Sequence, residues 1–131
     1  MGDAPEAGSA RIATPRVRAE AKTVLIGGAR FLGPGVVALL DAVEQTGSVK
    51  QACAQIGLSY TKGWRLIHTL EAETGAVMVA RRQGGSGGGT ASLTPECRTL
   101  LARFRAFSAD VDADVAARFA AHFPEFATPR D

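Results

Sequence analysis

The sequence is poor in most of the side chains that carry chemistry. Its 131 residues hold two cysteines, two histidines, one tryptophan and one tyrosine. Cys53 and Cys97 are too few for a disulfide framework, and their setting suits reduced thiols. His68 and His122 stand far apart, and no pair of His or Cys has metal-ligand spacing. No apolar run approaches the ~20 residues needed to cross a bilayer. The first twenty residues lack the apolar stretch of a secretory signal. These absences predict a chain that is not an enzyme, binds no metal and needs no cofactor of its own. They place it in the cytoplasm, away from any membrane. Charge of one sign is also lacking, since 15 Lys and Arg face 13 Asp and Glu, a net of +2. What is present is 46% hydrophobic and 21% charged residues, a composition that can bury one domain's core.

The charge is unevenly spread. Residues 47–107 carry eight basic side chains against three acidic ones, a local +5, whereas residues 108–131 carry two against five, or −3. A cationic segment attracts phosphate even when the total charge is near zero. Charge bias alone more often marks a solvated surface, so the pattern of elements has to decide.

Residues 1–21 are rich in Ala, Pro, Gly and charge and read as a flexible leader. Thr23, Val24, Leu25 and Ile26 form a β-prone run that Gly27 and Gly28 can turn back toward Phe31. Pro34 suits the first turn of a helix carrying Val36, Val37, Leu39, Leu40 and Val43, with Gly47 as its stop. Ser48 caps a short second helix with Val49, Ala52, Cys53 and Ile56 inward, ended by Gly57. Ser59 caps a third, residues 59–74, ended by Gly75. Only Gly57, Leu58 and Ser59 join the second and third helices, which leaves no length for an antiparallel return. This is a helix-turn-helix.

Residues 76–94 change character. Val77, Met78, Val79 and Ala80 are β-prone, and Arg81, Arg82 and a glycine-rich run follow, with a return strand at Ala91, Ser92 and Leu93. Five of the six residues 84–89 are glycine. The segment reads as a wing, because a linker would separate two pieces too small to fold alone. Thr94 caps a last helix with Pro95 in its first turn. Its apolar residues run from Leu100 to Phe123 at spacings of three and four. Continuous to about His122, it would be roughly 43 Å long. Such a stripe needs a second surface, and another copy of the chain supplies it. Leu101, Phe104, Phe107, Val111, Val115 and Phe119 are the expected dimer interface. The fold class is mainly α with a small β component: a winged helix-turn-helix over residues 22–94, then a dimerisation helix and tail over 95–131.

About 77 residues, from Phe31 to Phe107, resemble the DNA-binding domain of the ModE family of molybdate-responsive regulators, itself related to LysR-type helix-turn-helix domains. The residues that carry the resemblance are Thr46, Gly47 and Ser48, then Leu58, Ser59, Tyr60 and Trp64. Arg81, the glycine-rich tip, and Leu93, Thr94 and Pro95 complete it. Ser86 stands where the family often has a wing-tip lysine. Family members carry oxyanion-binding domains after this part, and 131 residues leave no room for them. The resemblance therefore implies a sequence-specific regulator that binds double-stranded DNA at a palindromic operator as a homodimer. It implies no molybdate site on any residue here.

A recognition helix offers its N-terminal residues to the major groove. With Gly63, Ile67 and Leu70 toward the core, Thr61, Lys62, Arg65, His68 and Thr69 face out or to the flanks. Arg65 suits a guanine edge, since its fork matches O6 and N7; the bland alternative is an ion pair within its own helix. Tyr60 and Thr61 suit a thymine methyl or a phosphate. Lys62, Ser59 and Lys50 suit phosphates. Arg81 or Arg82 reaches the minor groove or the backbone through the wing, and Gly85, Ser86 and Gly87 are tip contacts, the glycines allowing close approach because they have no Cβ. Trp64 packs beside the recognition helix with its N–H at the edge. A competing reading makes the glycine loop, with Arg81 and Arg82, a nest for a small oxyanion. A third makes the chain a dimerisation adaptor that has lost DNA contact.

Overall fold

A computed structural model describes residues 17–83 and 89–127. The chain divides into two units, Lys22–Ala109 on one hand and residues 1–21 with Asp110–Asp131 on the other. The first unit begins with an antiparallel pair, β1 (Leu25–Ile26) and β2 (Arg30–Leu32). Three helices follow: α1 (Pro34–Thr46), α2 (Val49–Gln55) and α3 (Tyr60–Thr74). A hairpin of β3 (Val79–Arg82) and β4 (Thr90–Leu93) comes next, and α4 (Pro95–His122) begins after it. Helices with two small two-stranded sheets are the mainly α winged architecture the spacing predicts.

The helix boundaries follow their caps. Ser48 accepts from the Gln51 N–H at 3.1 Å, and Ser59 accepts from the Lys62 N–H at 3.1 Å. Each hydroxyl satisfies one donor that the helix start leaves open. Gly47, Gly57 and Gly75 take left-handed backbone angles, with φ of 70°, 71° and 73°, where a Cβ would be strained. Thr94 caps α4, its hydroxyl accepting from the Cys97 N–H at 3.1 Å while donating to the Val77 carbonyl at 2.7 Å.

One core serves the first unit. Leu39, Leu40 and Val43 of α1, Ala52 and Cys53 of α2, and Ile67 and Leu70 of α3 are buried in it. Met78 and Val79 cover one side, with Ala91 and Leu93 of β4. Cys97, Leu101 and Phe104 bring the first turns of α4 into the same cluster. This corrects the expected interface at two positions: Leu101 and Phe104 are already covered by this chain's own core. Phe107 is exposed, and Val111, Val115 and Phe119 are half-buried. Arg98 with Glu44 and Arg105 with Asp41 link α4 to α1 at the surface. Exposed pairs of this kind contribute up to about 1 kcal/mol each, so burial does most of the holding.

The wing starts two residues later than the β-prone run suggests. The Glu71 carboxylate accepts from the Met78 and Val79 N–H groups at 2.9 and 3.2 Å. Those bonds hold Met78 and Val79 against the end of α3, so residues 76–78 stay outside the strand, and Val77 is left exposed. Arg81 and Arg82 therefore lie within β3, not after it.

In the second unit, α4 continues to His122 and α5 (Pro124–Ala127) follows. Asp114 pairs with Arg118 at 2.8 Å. Phe119, Phe123 and Phe126 form a ring series with centroids 5.5 and 6.2 Å apart.

The crossing of α2 and α3 depends on Gly63. A Cβ placed there would run into the Cys53 sulfur. Gly63→Ala is expected to lower stability by about 1–3 kcal/mol through overpacking, despite the better helix propensity of alanine. Adding Cys53→Ala should recover part of the loss. A thermal melt in which Gly63→Ala alone matches or exceeds the wild type would show that the helices are free to move apart.

Candidate nucleic-acid interface

The surface of α3 is divided by its periodicity. Gly63, Ile67 and Leu70 face the core. Tyr60, Thr61, Lys62, Arg65 and His68 are exposed, and Thr69 is half-buried on the flank. Tyr60, Trp64 and His68 recur at four-residue intervals and touch in sequence along one ridge. Tyr60 meets the indole edge-on at 6.5 Å, and the His68 ring lies 5.2 Å from it. The first turn of α3 holds no acidic residue, so the positive end of the helix dipole is not offset there by a carboxylate.

The hairpin reaches the same ridge. Val79 pairs with Leu93 and Arg81 with Ala91, and Val79, Leu93 and Ala91 are all buried. Side chains alternate along a strand, so Arg81 shares the inward face while Ala80 and Arg82 share the outward one. Where the core runs out, the Arg81 guanidinium lies over the Trp64 ring, 4.5 Å from its centroid. Ser48, Lys50 and Gln51 of the second helix's start, Tyr60 and Trp64 of α3, and Arg81, Arg82 and Thr90 of the hairpin line one groove. Gln51, beside Lys50 at the start of the second helix, is where a backbone contact was expected, whereas Ser48 and Thr90 were not among the residues expected there. A cap serine and a neutral threonine carry no charge or motif signal of their own.

The cations differ in what they meet. Arg98 and Arg105 are engaged by Glu44 and Asp41. Among the described residues, Lys50, Lys62, Arg65, Arg81 and Arg82 form no ion pair. The alternative for Arg65, a pair with an acid of its own helix, is therefore set aside. Lys50 and Arg81 line this groove, and the starts of α2 and α3 beside it hold no acidic residue, which suits a polyanion with regularly spaced phosphates.

Residues 36–98 match the family described as the bacterial regulatory helix-turn-helix protein, lysR family. This segment is similar to the helix-turn-helix domain of LysR-type regulators. The wider chain is 39% identical over 84 residues to the molybdenum-pterin-binding protein MopB of Rhodobacter capsulatus, covering 64% of this chain and 31% of that protein. It is 40% identical over 68 residues to the molybdenum transport protein ModE of Herbaspirillum seropedicae, covering 52% of this chain and 25% of the relative. It is 32% identical over 71 residues to the DNA-binding transcriptional dual regulator ModE of Escherichia coli K12, covering 54% and 27%. The chain thus spans about a third or less of the length of these relatives.

Within the matched segment, the fold brings Lys50, Tyr60, Thr61, Lys62, Arg65, His68, Arg81 and Arg82 to exposed positions on α2, α3 and β3. Ser59 keeps an O–H free to donate, although its oxygen already accepts from the Lys62 N–H. Gly85, Ser86 and Gly87 lie outside the described residues, as does most of the loop on which the oxyanion reading rests. No group of His, Cys, Asp and Glu among the described residues could hold a metal ion. No helix there is long and apolar enough to cross a membrane.

The two thiols are core residues. Burial pushes the Cys53 thiol above its ordinary pKa. Cys97, in the first turn of α4, is pushed from 9.0 to about 11, first by burial, then by the Glu44 charge, with Arg98 opposing and Glu71 adding. A helix start can lower a thiol's pKa, and here burial wins. The unfolded chain releases the Cys97 proton near pH 9 and the folded chain only near pH 11, so stability is present below pH 9 and lost as pH rises between them. Keeping the proton across that window is worth about 1–3 kcal/mol, which is the expected loss. Chemical denaturation at pH 8 and pH 11 should show a smaller drop for Cys97→Ala; an equal drop in both proteins would assign it to other groups.

Proposed function

We propose that this chain is a sequence-specific regulator of transcription of the ModE type, acting in the cytoplasm by binding double-stranded DNA. The observation that carries the reading is the match to a LysR-type helix-turn-helix, with a recognition helix whose outward cations have no acidic partner among the described residues. In this reading α3 enters the major groove with its first turns nearest the bases. Arg65 makes the bidentate contact to guanine. Lys62, Lys50 and the Ser59 hydroxyl meet phosphates on either side. Tyr60 and Thr61 lie beside the leading end of the helix, against a thymine methyl or the backbone, and His68 lies farther along. Arg82 and the tip residues Gly85, Ser86 and Gly87 follow the backbone outside the groove. The match to a helix-turn-helix family supports a regulator over an enzyme. No cofactor has a part in these contacts, and molybdate response is not carried over from the relatives' names.

The chain acts as a homodimer in this reading. Phe107 is exposed and Val111, Val115 and Phe119 are half-buried on the long last helix, so apolar surface remains for a second copy after Leu101 and Phe104 are taken by the core. Two recognition helices would then read half-sites about one helical turn, ~34 Å, apart on a palindromic operator.

Selection from random duplex DNA should enrich such a palindrome. On the enriched site, Arg65→Ala is expected to cost about 1–3 kcal/mol and to relax selectivity at one base pair. Binding should weaken steeply with added salt, as counterion release requires. An equal loss on every sequence would reduce Arg65 to a phosphate contact. A molybdate-dependent thermal shift without duplex affinity would favour the oxyanion reading instead.

Sedimentation tests the dimer separately. The wild type is expected to sediment as a dimer at micromolar concentration and Val111→Asp as a monomer. A monomeric wild type removes the dimer and with it the palindrome.

A further inference from the structure

We infer that Trp64 is a positioning residue for DNA binding that acts through Arg81, holding the guanidinium beside the recognition helix so that helix and wing meet the phosphate backbone as one surface. The inference rests on the DNA-binding reading and adds to it a residue that touches no nucleic acid itself.

The pleat dictates the meeting. Arg81 lies on the inward face of β3 with Val79, opposite buried Ala91, at the point where apolar partners end. Its guanidinium lands 4.5 Å from the centroid of the Trp64 ring. An arginine clamped by a carboxylate, as Arg98 is by Glu44, has its charge offset before any phosphate arrives. An aromatic face attracts the cation through the ring quadrupole and leaves the charge whole. It also restricts the rotamers of a long side chain, so less freedom is lost when the phosphate binds.

The identity of the ring supports the same role. The Trp64 Nε1 is buried and has no hydrogen-bond partner among the described residues, a cost that a leucine or phenylalanine would avoid. Packing alone therefore does not favour tryptophan here, whereas among the aromatic rings tryptophan attracts a cation best. His68 rests 5.2 Å from the indole and Tyr60 meets it edge-on, so the ring is braced from both directions along α3.

Wild type, Arg81→Ala, Trp64→Leu, Trp64→Phe and the double variant can be titrated with a labelled mixed-sequence duplex of roughly three helical turns at several salt concentrations. Arg81→Ala is expected to weaken binding about 3- to 10-fold and to lower the salt slope by about one phosphate contact. Trp64→Leu should reproduce most of both changes, Trp64→Phe less, and the double variant should be no weaker than Arg81→Ala alone. Losses that add in the double variant, or a Trp64→Leu protein that keeps wild-type affinity and slope, overturn the coupling. A second readout does not depend on Trp64→Leu folding. Trp64 is the single tryptophan, so its emission in the absence of DNA should shift in Arg81→Ala, and an unchanged spectrum overturns the contact. A wild type that binds no duplex overturns the DNA-binding reading, and the positioning role with it, even where the emission still reports the contact.

Discussion

The recognition helix is held by an approach that a methyl group would block. Gly63 brings the α3 backbone against Cys53 of α2, and the left-handed turn at Gly57 delivers the chain at the angle this needs. Ile67 and Leu70 then fall onto Leu39, Leu40 and Val43 in the shared core. With three inward positions committed, the outward ones have no choice of direction. The exposed side of Thr61, Lys62, Arg65 and His68 is a consequence of that packing, since a helix with one buried stripe must present its other residues to whatever lies outside.

The hairpin depends on the same core through different bonds. Glu71, near the end of α3, takes the Met78 and Val79 donors, and the Ala91 N–H bonds to the Gly47 carbonyl at 2.8 Å. Both strands are thus referenced to helix ends already fixed by capping. That makes Arg81 and Arg82 unequal. Neighbours in sequence and identical in chemistry, they sit on opposite faces of β3, one over an indole and one away from it. The cations of α4 show the other outcome, in which Glu44 and Asp41 hold Arg98 and Arg105. A segmental charge of +5 is therefore not a uniform field: part is internally offset and part faces outward.

Most of the helical framework was legible because its signals are local. Ser48, Ser59, Thr94, Gly47, Gly57 and Gly75 each act within one turn of where they stand, and the caps and stops lie where those residues predict. The core side of α3 followed from the spacing of Gly63, Ile67 and Leu70. The wing was legible as a hairpin but not in register. A run of β-prone residues cannot reveal that a distant glutamate will claim two of its N–H groups. The interface expected on the last helix was partly misplaced for a related reason: a continuous stripe at three- and four-residue spacing does not mark where its partner changes. Leu101 and Phe104 meet this chain's own core, and Phe107 does not.

The order of the elements, their ends, the inward stripe of the recognition helix and the gathering of basic residues around it were determined by the sequence alone, because each depends on periodicity, capping or composition within a few residues. Which cations are free, which face of the hairpin each arginine takes, and the meeting of Arg81 with Trp64 were decided only by the tertiary structure. Those facts depend on residues far apart in the chain, and on a buried indole N–H without a partner among the described residues, whose surroundings no local pattern encodes. The thiol of Cys97 divides along the same line: its place in a first turn is local, and the burial that raises its pKa belongs to the fold.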